Sequence, residues 1–265
     1  MTIPPILLVG FGKMGGAMLT GWREKGLAPS IAVDPACPAT PGPDVTVIPD
    51  ASHIPDGFSP SAVVLAVKPQ NAAETVPLYA RFAGSAVMLS IMAGRNVAGL
   101  GALLGTDAAI VRAMPNTPAA IRQGITVAFA GRRVAAAQRT LCDTLLSAVG
   151  AVAWVDDEGL IDPVTAISGG GPAYVFLLAE LLEKAAIAQG IPADLARLMA
   201  RQTVAGSGAM LAADPHDAAD LRRAVTSPKG TTERALAVLM EQSAWPDTIF
   251  RAIAAATARS RELAG

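Results

Sequence analysis

The segment Gly10-Phe11-Gly12-Lys13-Met14-Gly15 stands between a short apolar run, Ile6-Leu7-Leu8-Val9, and residues 14–25, whose apolar positions recur with helical spacing. A G-x-G-x-x-G turn that ends a strand and opens a helix uses each glycine differently. The first permits the tight turn, the second lets a pyrophosphate approach the backbone, and the third lets helix pack on strand. The helix start then offers unpaired N–H groups and a partial positive charge to phosphates. Gly26 suits the C′ position that closes the helix. In this context the motif predicts a dinucleotide-binding unit rather than a bare strand-to-helix turn.

Strand and helix signals alternate beyond it. Residues 31–33, 45–48, 62–67, 86–90, 109–112, 125–130 and 151–155 are short apolar runs rich in Val, Ile and Ala. Such runs suit strands covered on both faces, and stretches 71–82, 97–104 and 134–149 can supply the covering helices. The pattern predicts an α/β domain built on a doubly wound parallel sheet of the Rossmann type. After Asp156-Asp157-Glu158 strand signals vanish, and helices are expected over 172–189, 192–213, 215–225, 232–241 and 246–262. The expected division is therefore 1–160 for nucleotide binding and 161–265 for an all-α domain. Hydrophobic residues make up 52% of the chain and aromatics 4%, so the core is built from small aliphatic side chains. The helical half is apolar enough to leave a large sticky face on a monomer, which predicts a homo-oligomer.

Composition narrows the chemistry. Lys plus Arg (21) nearly balance Asp plus Glu (22), leaving no basic excess for nucleic acid or an anionic membrane. Two cysteines, Cys37 and Cys142, and two histidines, His53 and His216, match no zinc-ligand spacing or disulfide framework, so no metal site is expected. No apolar run in the sequence reaches about 18 residues, and no basic segment opens the chain. A soluble cytoplasmic protein is expected.

Candidate ligand residues lie where a doubly wound sheet binds its ligands, beyond the strand carboxyl ends. Besides Gly10 to Gly15 these are Asp34, the loop Ala66-Val67-Lys68-Pro69, the loop Met92-Ala93-Gly94, and Asn116 within Met114-Pro115-Asn116-Thr117-Pro118. Asp34 is placed either to accept bonds from an adenosine ribose, which favours NADH, or to cap its own turn before Pro35. Prolines in the loops either shape a ligand crevice or merely end strands. In the helical half, Ser168-Gly169-Gly170-Gly171-Pro172-Ala173-Tyr174 and Ser227-Pro228-Lys229-Gly230-Thr231-Thr232 precede helices. They read as simple N-caps or as carboxylate-binding helix starts.

Taken together these segments resemble the pyrroline-5-carboxylate reductases, over nearly the whole chain and most specifically in residues 167–176 and 226–236. The resemblance implies reduction of 1-pyrroline-5-carboxylate to L-proline with NADPH or NADH. It implies that Ser227 and the backbone of Lys229, Gly230, Thr231 and Thr232 hold the substrate carboxylate, that Thr232 lies beside the ring nitrogen, and that Glu158 is an acidic residue near the proline site. It also implies an intertwined helical dimer, often assembled into a decamer. One position departs from the family pattern: Lys229 stands where Gly is usual, which questions the backbone conformation there. Two alternatives stand beside this reading. A 3-hydroxyacid oxidoreductase would use a helical lysine, for which Lys184 is the candidate, and a nucleotide-binding regulatory protein would have lost turnover.

Overall fold

Where apolar runs are buried on both faces, strands must stack side by side under helices, and the chain does so eight times. The computed structural model describes residues 2–37, 39–105 and 107–264. The strands are β1 (Ile6–Val9), β2 (Ser30–Val33), β3 (Val45–Ile48), β4 (Ala62–Leu65), β5 (Val87–Ser90), β6 (Ile110–Met114), β7 (Gly124–Ala130) and β8 (Gly150–Val155). They form one sheet in the order β3-β2-β1-β4-β5-β6-β7-β8. The order reverses direction between β1 and β4, which opens a crevice at their carboxyl ends.

The expected parallel sheet needs one correction. Strands β1 to β6 are parallel, but β7 runs antiparallel to β6, and β8 then returns parallel to β7. The reason is length: the nine residues 115–123 hold only a 3-10 turn at Thr117–Ile121, and a parallel crossover needs about a dozen or more. Between β7 and β8 the helix α4, defined below, supplies that crossover.

Four helical segments cover the sheet: α1 (Lys13–Glu24), α2 (Ala72–Thr75) continued by 3-10 turns over Val76–Phe82, α3 (Val97–Leu104) and α4 (Ala136–Ser147). The strand alternation sends Leu8 to one face with Met18, Trp22 and Leu145, and Leu7 to the other with Val63, Tyr79 and Leu100. On the first face α1 meets α4 closely. Trp22 Nε1 donates to the Leu145 carbonyl at 2.8 Å, and a Cβ on Gly21 would lie 2.7 Å from the Ala148 oxygen.

Helical structure begins earlier than the sequence suggests. The run Glu158–Ala188 contains α5 (Ile161–Val164), a π turn (Thr165–Gly169) and α6 (Gly171–Ala188). Pro163 and three consecutive glycines read as loop, yet the hydroxyls of Thr165 and Ser168 bond back to the carbonyls of Ile161 and Val164, at 2.7 and 3.1 Å. Gly169 packs against the end of the Met114 side chain, where a Cβ would sit 2.9 Å from Met114 Cε. The chain continues through α7 (Ala193–Ala213), α8 (Ala218–Ala224), α9 (Thr231–Leu239) and α10 (Trp245–Ala264).

Two compact units result. One comprises the residues through Gly169 together with those from Ala256 onward, and the other spans Gly170–Ala255. The boundary thus falls beyond the expected residue 160, and the chain end rejoins the first unit. The cause is Asp162, which accepts bonds from Arg112 of β6 and from Ser260 of α10. In the second unit the helices show apolar side chains to solvent: among the described residues none in α6, α8 or α9 is buried. Phe176 is 68% exposed and Phe250 73%. By length and apolar composition the run Glu158–Ala188 is also able to cross a membrane.

The two cysteines differ in environment. Cys142 is buried on α4, and burial pushes its thiol up to about 12, whereas Cys37 is exposed. Titration with an aromatic disulfide should consume one thiol in the native protein and the second only after unfolding. Two fast thiols would show that α4 is not packed as described.

Candidate active site

The three motif glycines separate by what surrounds them. Gly10 has φ +97°, and a Cβ there would lie 2.7 Å from the Ala66 oxygen; a Cβ on Gly15 would overlap the Gly10 oxygen. Gly12 has nothing within 4 Å of its Cβ position, so space is left there for a ligand. Gly12 also precedes the first turn of α1 and is not capped by a described side chain, which leaves the N–H groups beginning at Lys13 and Met14 available to an anion. This is the arrangement a pyrophosphate requires.

A cleft of about 390 Å³ extends from this turn and is lined by Gly10, Gly12, Asp34, Asp50, Ala66 and Lys68, among others. Val67 lines it too, and Lys68 is extended (φ −64°, ψ 138°), as the following Pro69 dictates. Asp34 combines both expected roles. Its Oδ2 accepts the Phe11 N–H at 2.8 Å and its Oδ1 the Ala36 N–H at 2.9 Å, so it fastens the glycine turn and its own turn while facing the cleft. Asp50, at the adjacent strand end, was not anticipated. Hydrogen bonds from the Ser52 hydroxyl and the His53 ring, then the Ser52 N–H, hold its carboxyl down to about 2.

The remaining loops are tied to the sheet and to one another. Met92 is buried and its N–H donates to Ser90 Oγ at 3.3 Å. Ala93 follows it, and Gly94 (φ +64°) lies against Leu263 of α10, where a Cβ would come within 2.9 Å of another carbon. Arg95 donates to the Pro69 carbonyl from Nε and Nη2, at 3.1 and 2.7 Å, tying two loops together. Asn116 uses its side-chain oxygen to accept the Ile125 N–H at 2.9 Å, closing the β6–β7 turn. Pro69, Met92, Ala93, Gly94 and Asn116 are not among the residues lining the 390 Å³ cleft.

Beneath them lies a cluster the sequence did not reveal. Arg112 is 3% exposed; its Nη1 reaches Glu158 Oε1 and its Nη2 reaches Asp162 Oδ1, both at 3.3 Å. Glu158 Oε1 also accepts the Val97 N–H at 2.7 Å, capping α3, and Asp162 accepts from Ser260 Oγ at 2.9 Å. Glu158 thus supports the first unit and also lines a cavity with Val97 and Arg132. No spacing rule connects residues 112, 158, 162 and 260; only the fold does.

The second unit carries the other expected segment. Lys229 adopts φ +60°, so the left-handed conformation normally given to glycine is kept by a lysine. Its N–H donates to Glu233 Oε2 at 2.8 Å, and the Gly230 N–H donates to the Ser227 carbonyl at 3.0 Å. Gly230 then precedes α9, whose first turn, Thr231 and Thr232 included, is not capped by a described side chain. Ser227, Lys229, Thr231 and Thr232 are all exposed. Lys184 is also exposed and paired with Glu180 one helical turn away, so it lacks the sheltered setting of an acid–base lysine.

Two substitutions test these assignments. Arg112→Met leaves Glu158 and Asp162 without their cation and should cost about 3–5 kcal/mol in denaturant unfolding; a change below 1 kcal/mol would remove the cluster's structural role. Lys229→Gly relieves a left-handed non-glycine residue and should stabilise the protein by about 1 kcal/mol, a gain that a destabilised variant would contradict.

Comparison with known proteins agrees with this geometry. The model of the pyrroline-5-carboxylate reductase dimerisation family matches residues 158–263. A pyrroline-5-carboxylate reductase of Pseudomonas aeruginosa is 38% identical over 100% of this chain and 98% of its own length. The structure of a pyrroline-5-carboxylate reductase from Coxiella burnetii aligns with a TM-score of 0.88 at 32% identity, covering 98% of each chain. That of pyrroline carboxylate reductase from Plasmodium falciparum, with NADP bound, aligns at 0.85 and 25% identity over 100% of both. The chain belongs to the pyrroline-5-carboxylate reductase family.

Proposed function

We propose that this protein reduces 1-pyrroline-5-carboxylate to L-proline with NADH or NADPH, the last step of proline biosynthesis. The observation that carries the reading is the glycine turn at the β1–β4 crevice, with Gly12 open and α1 uncapped, in a chain akin to these reductases along its full length. Reduction adds a hydride to C5 of the ring, and the C=N bond becomes single. The reduced nicotinamide supplies that hydride when bound. The substrate arrives as an iminium already protonated on nitrogen, so no acid is needed at that atom, which suits a chain with two histidines.

The residues divide the remaining work. The start of α1 takes the pyrophosphate and Asp34 the adenosine ribose; Ala66, Val67 and Lys68 form the wall of the nucleotide cleft. In the second unit the free N–H groups at the start of α9 suit a carboxylate, with the Ser227 hydroxyl adding a directional bond. The Thr232 hydroxyl accepts the iminium N–H and orients the ring. Glu158, held by Arg112 and by the Val97 N–H, is the acidic group near the proline site.

The exposed apolar helices support a homodimer formed through the second unit, with dimers assembling further into a decamer. The exposed apolar side chains of α6 belong to that protein interface rather than to a membrane. Near-neutral net charge supports an enzyme acting on a small molecule, without nucleic acid or lipid partners, and the compartment in this reading is the cytoplasm.

Steady-state reduction of pyrroline-5-carboxylate, followed as loss of nicotinamide absorbance, tests the activity directly. Absence of turnover with both nucleotides would overturn it. Thr232→Ala should lower kcat by about 10- to 100-fold, the scale of one oriented hydrogen bond, with nucleotide binding retained; unaltered turnover would take Thr232 out of the mechanism. Light scattering should give a dimer or larger at micromolar concentration, and a monomer would refute the interface.

A further inference from the structure

Resting on the nucleotide-dependent reading above, we infer that the adenosine end of the cleft selects NADH against NADPH through two carboxylates, Asp34 and Asp50. The two nucleotides differ by one phosphate on the adenosine ribose. Selection therefore depends on what charge the protein fixes beyond the ends of β2 and β3.

The register brings the two acids together. Val33 of β2 pairs with Ile48 of β3, and the Asp34 N–H donates to the Ile48 carbonyl at 3.0 Å. Pro49 and Asp50 continue from the neighbouring strand, and Asp34, Pro35, Pro49 and Asp50 line one cleft. Asp34 is not free to turn away. Leaving its position would break the bonds from Phe11 N–H and Ala36 N–H, the first of which fastens the glycine turn itself. Each of its oxygens keeps a lone pair for a ribose hydroxyl, an acceptor that a phosphate cannot use. Asp50 is likewise held: its Oδ1 accepts from the Ser52 N–H at 2.9 Å, the Ser52 hydroxyl at 2.5 Å and the His53 ring at 3.0 Å.

Compensating cations are scarce. Lys68 is the basic side chain among the described lining residues. Arg23 pairs with Asp44 at 2.8 Å, and Arg81 donates to the Ile54 carbonyl at 3.3 Å with its guanidinium over the Phe82 ring. A phosphate placed here meets two fixed negative charges, whereas the ribose hydroxyl of NADH meets an acceptor.

The test is equilibrium binding of NADH and of NADPH to the full-length protein at pH 8, read by nucleotide fluorescence without substrate. NADH should bind at least about tenfold more tightly at low ionic strength, with the gap shrinking in 0.5 M salt. Asp50→Asn should raise NADPH affinity about threefold or more relative to NADH, and Asp34→Ser should narrow the gap further. Asp50 has no bond to the glycine turn, so its variant reports even if Asp34→Ser fails to fold. Equal binding, or tighter NADPH, overturns the inference. A gap that Asp50→Asn leaves unchanged overturns the role of Asp50. Failure of both nucleotides to bind instead overturns the underlying nucleotide-dependent reading.

Discussion

A guanidinium buried between two carboxylates organises the first unit. Burying Arg112 in β6 strips it of water, a cost that only well-placed acceptors offset. Glu158 and Asp162 supply them from the start of the long helical run. Because Glu158 also caps α3 and Asp162 also holds Ser260, one cation ties the sheet to α3, to α5 and to the end of α10. Arg112 Nε has no hydrogen-bond partner among the described residues, so the cluster is not the cheapest way to fill the space. Its value is registry: each partner has one place where the charge is met. The loops carrying Met92 to Gly94 and Asn116 emerge directly above these elements and inherit their positions.

On that frame the nucleotide crevice needs little reactive chemistry. Backbone provides most of it: an open Gly12, a left-handed Gly10 packed on Ala66, and the uncapped start of α1. Asp34 is spent partly on holding this backbone, which joins the ribose acceptor to the phosphate-binding turn as one unit. A side chain that both builds a loop and reads a ligand has little freedom to do the second differently.

The helical unit follows another logic. Its helices expose Phe176, Leu177, Leu198, Met210 and Phe250, a surface too apolar to remain in water and consistent with the dimerisation family it matches. Its substrate segment is backbone again, with Lys229 in a conformation that usually belongs to glycine. The strain is tolerated because the Lys229 N–H and the Gly230 N–H are both paired, to Glu233 and Ser227.

Elements whose signals are local were legible in the sequence. All eight strands, the glycine turn and the helices of the second unit follow from short-range patterns of apolar residues, glycine and proline. The departures came where distant residues overrule local preference. Residues 158–169 contain Pro163 and lead into three glycines, yet form helix because Arg112 and two hydroxyl back-bonds hold them. Strand β7 is antiparallel because its connection is too short to cross over. Glu158 and Asn116, chemically plausible as ligand groups, are engaged by backbone N–H groups 61 and 9 residues away. Asp50 became visible only through the register of β2 and β3. The sequence by itself determined which segments form elements and where phosphate-binding backbone occurs, since both depend on neighbours along the chain. Tertiary structure alone decided which polar side chains stay free for ligand, because that depends on what the fold places opposite them.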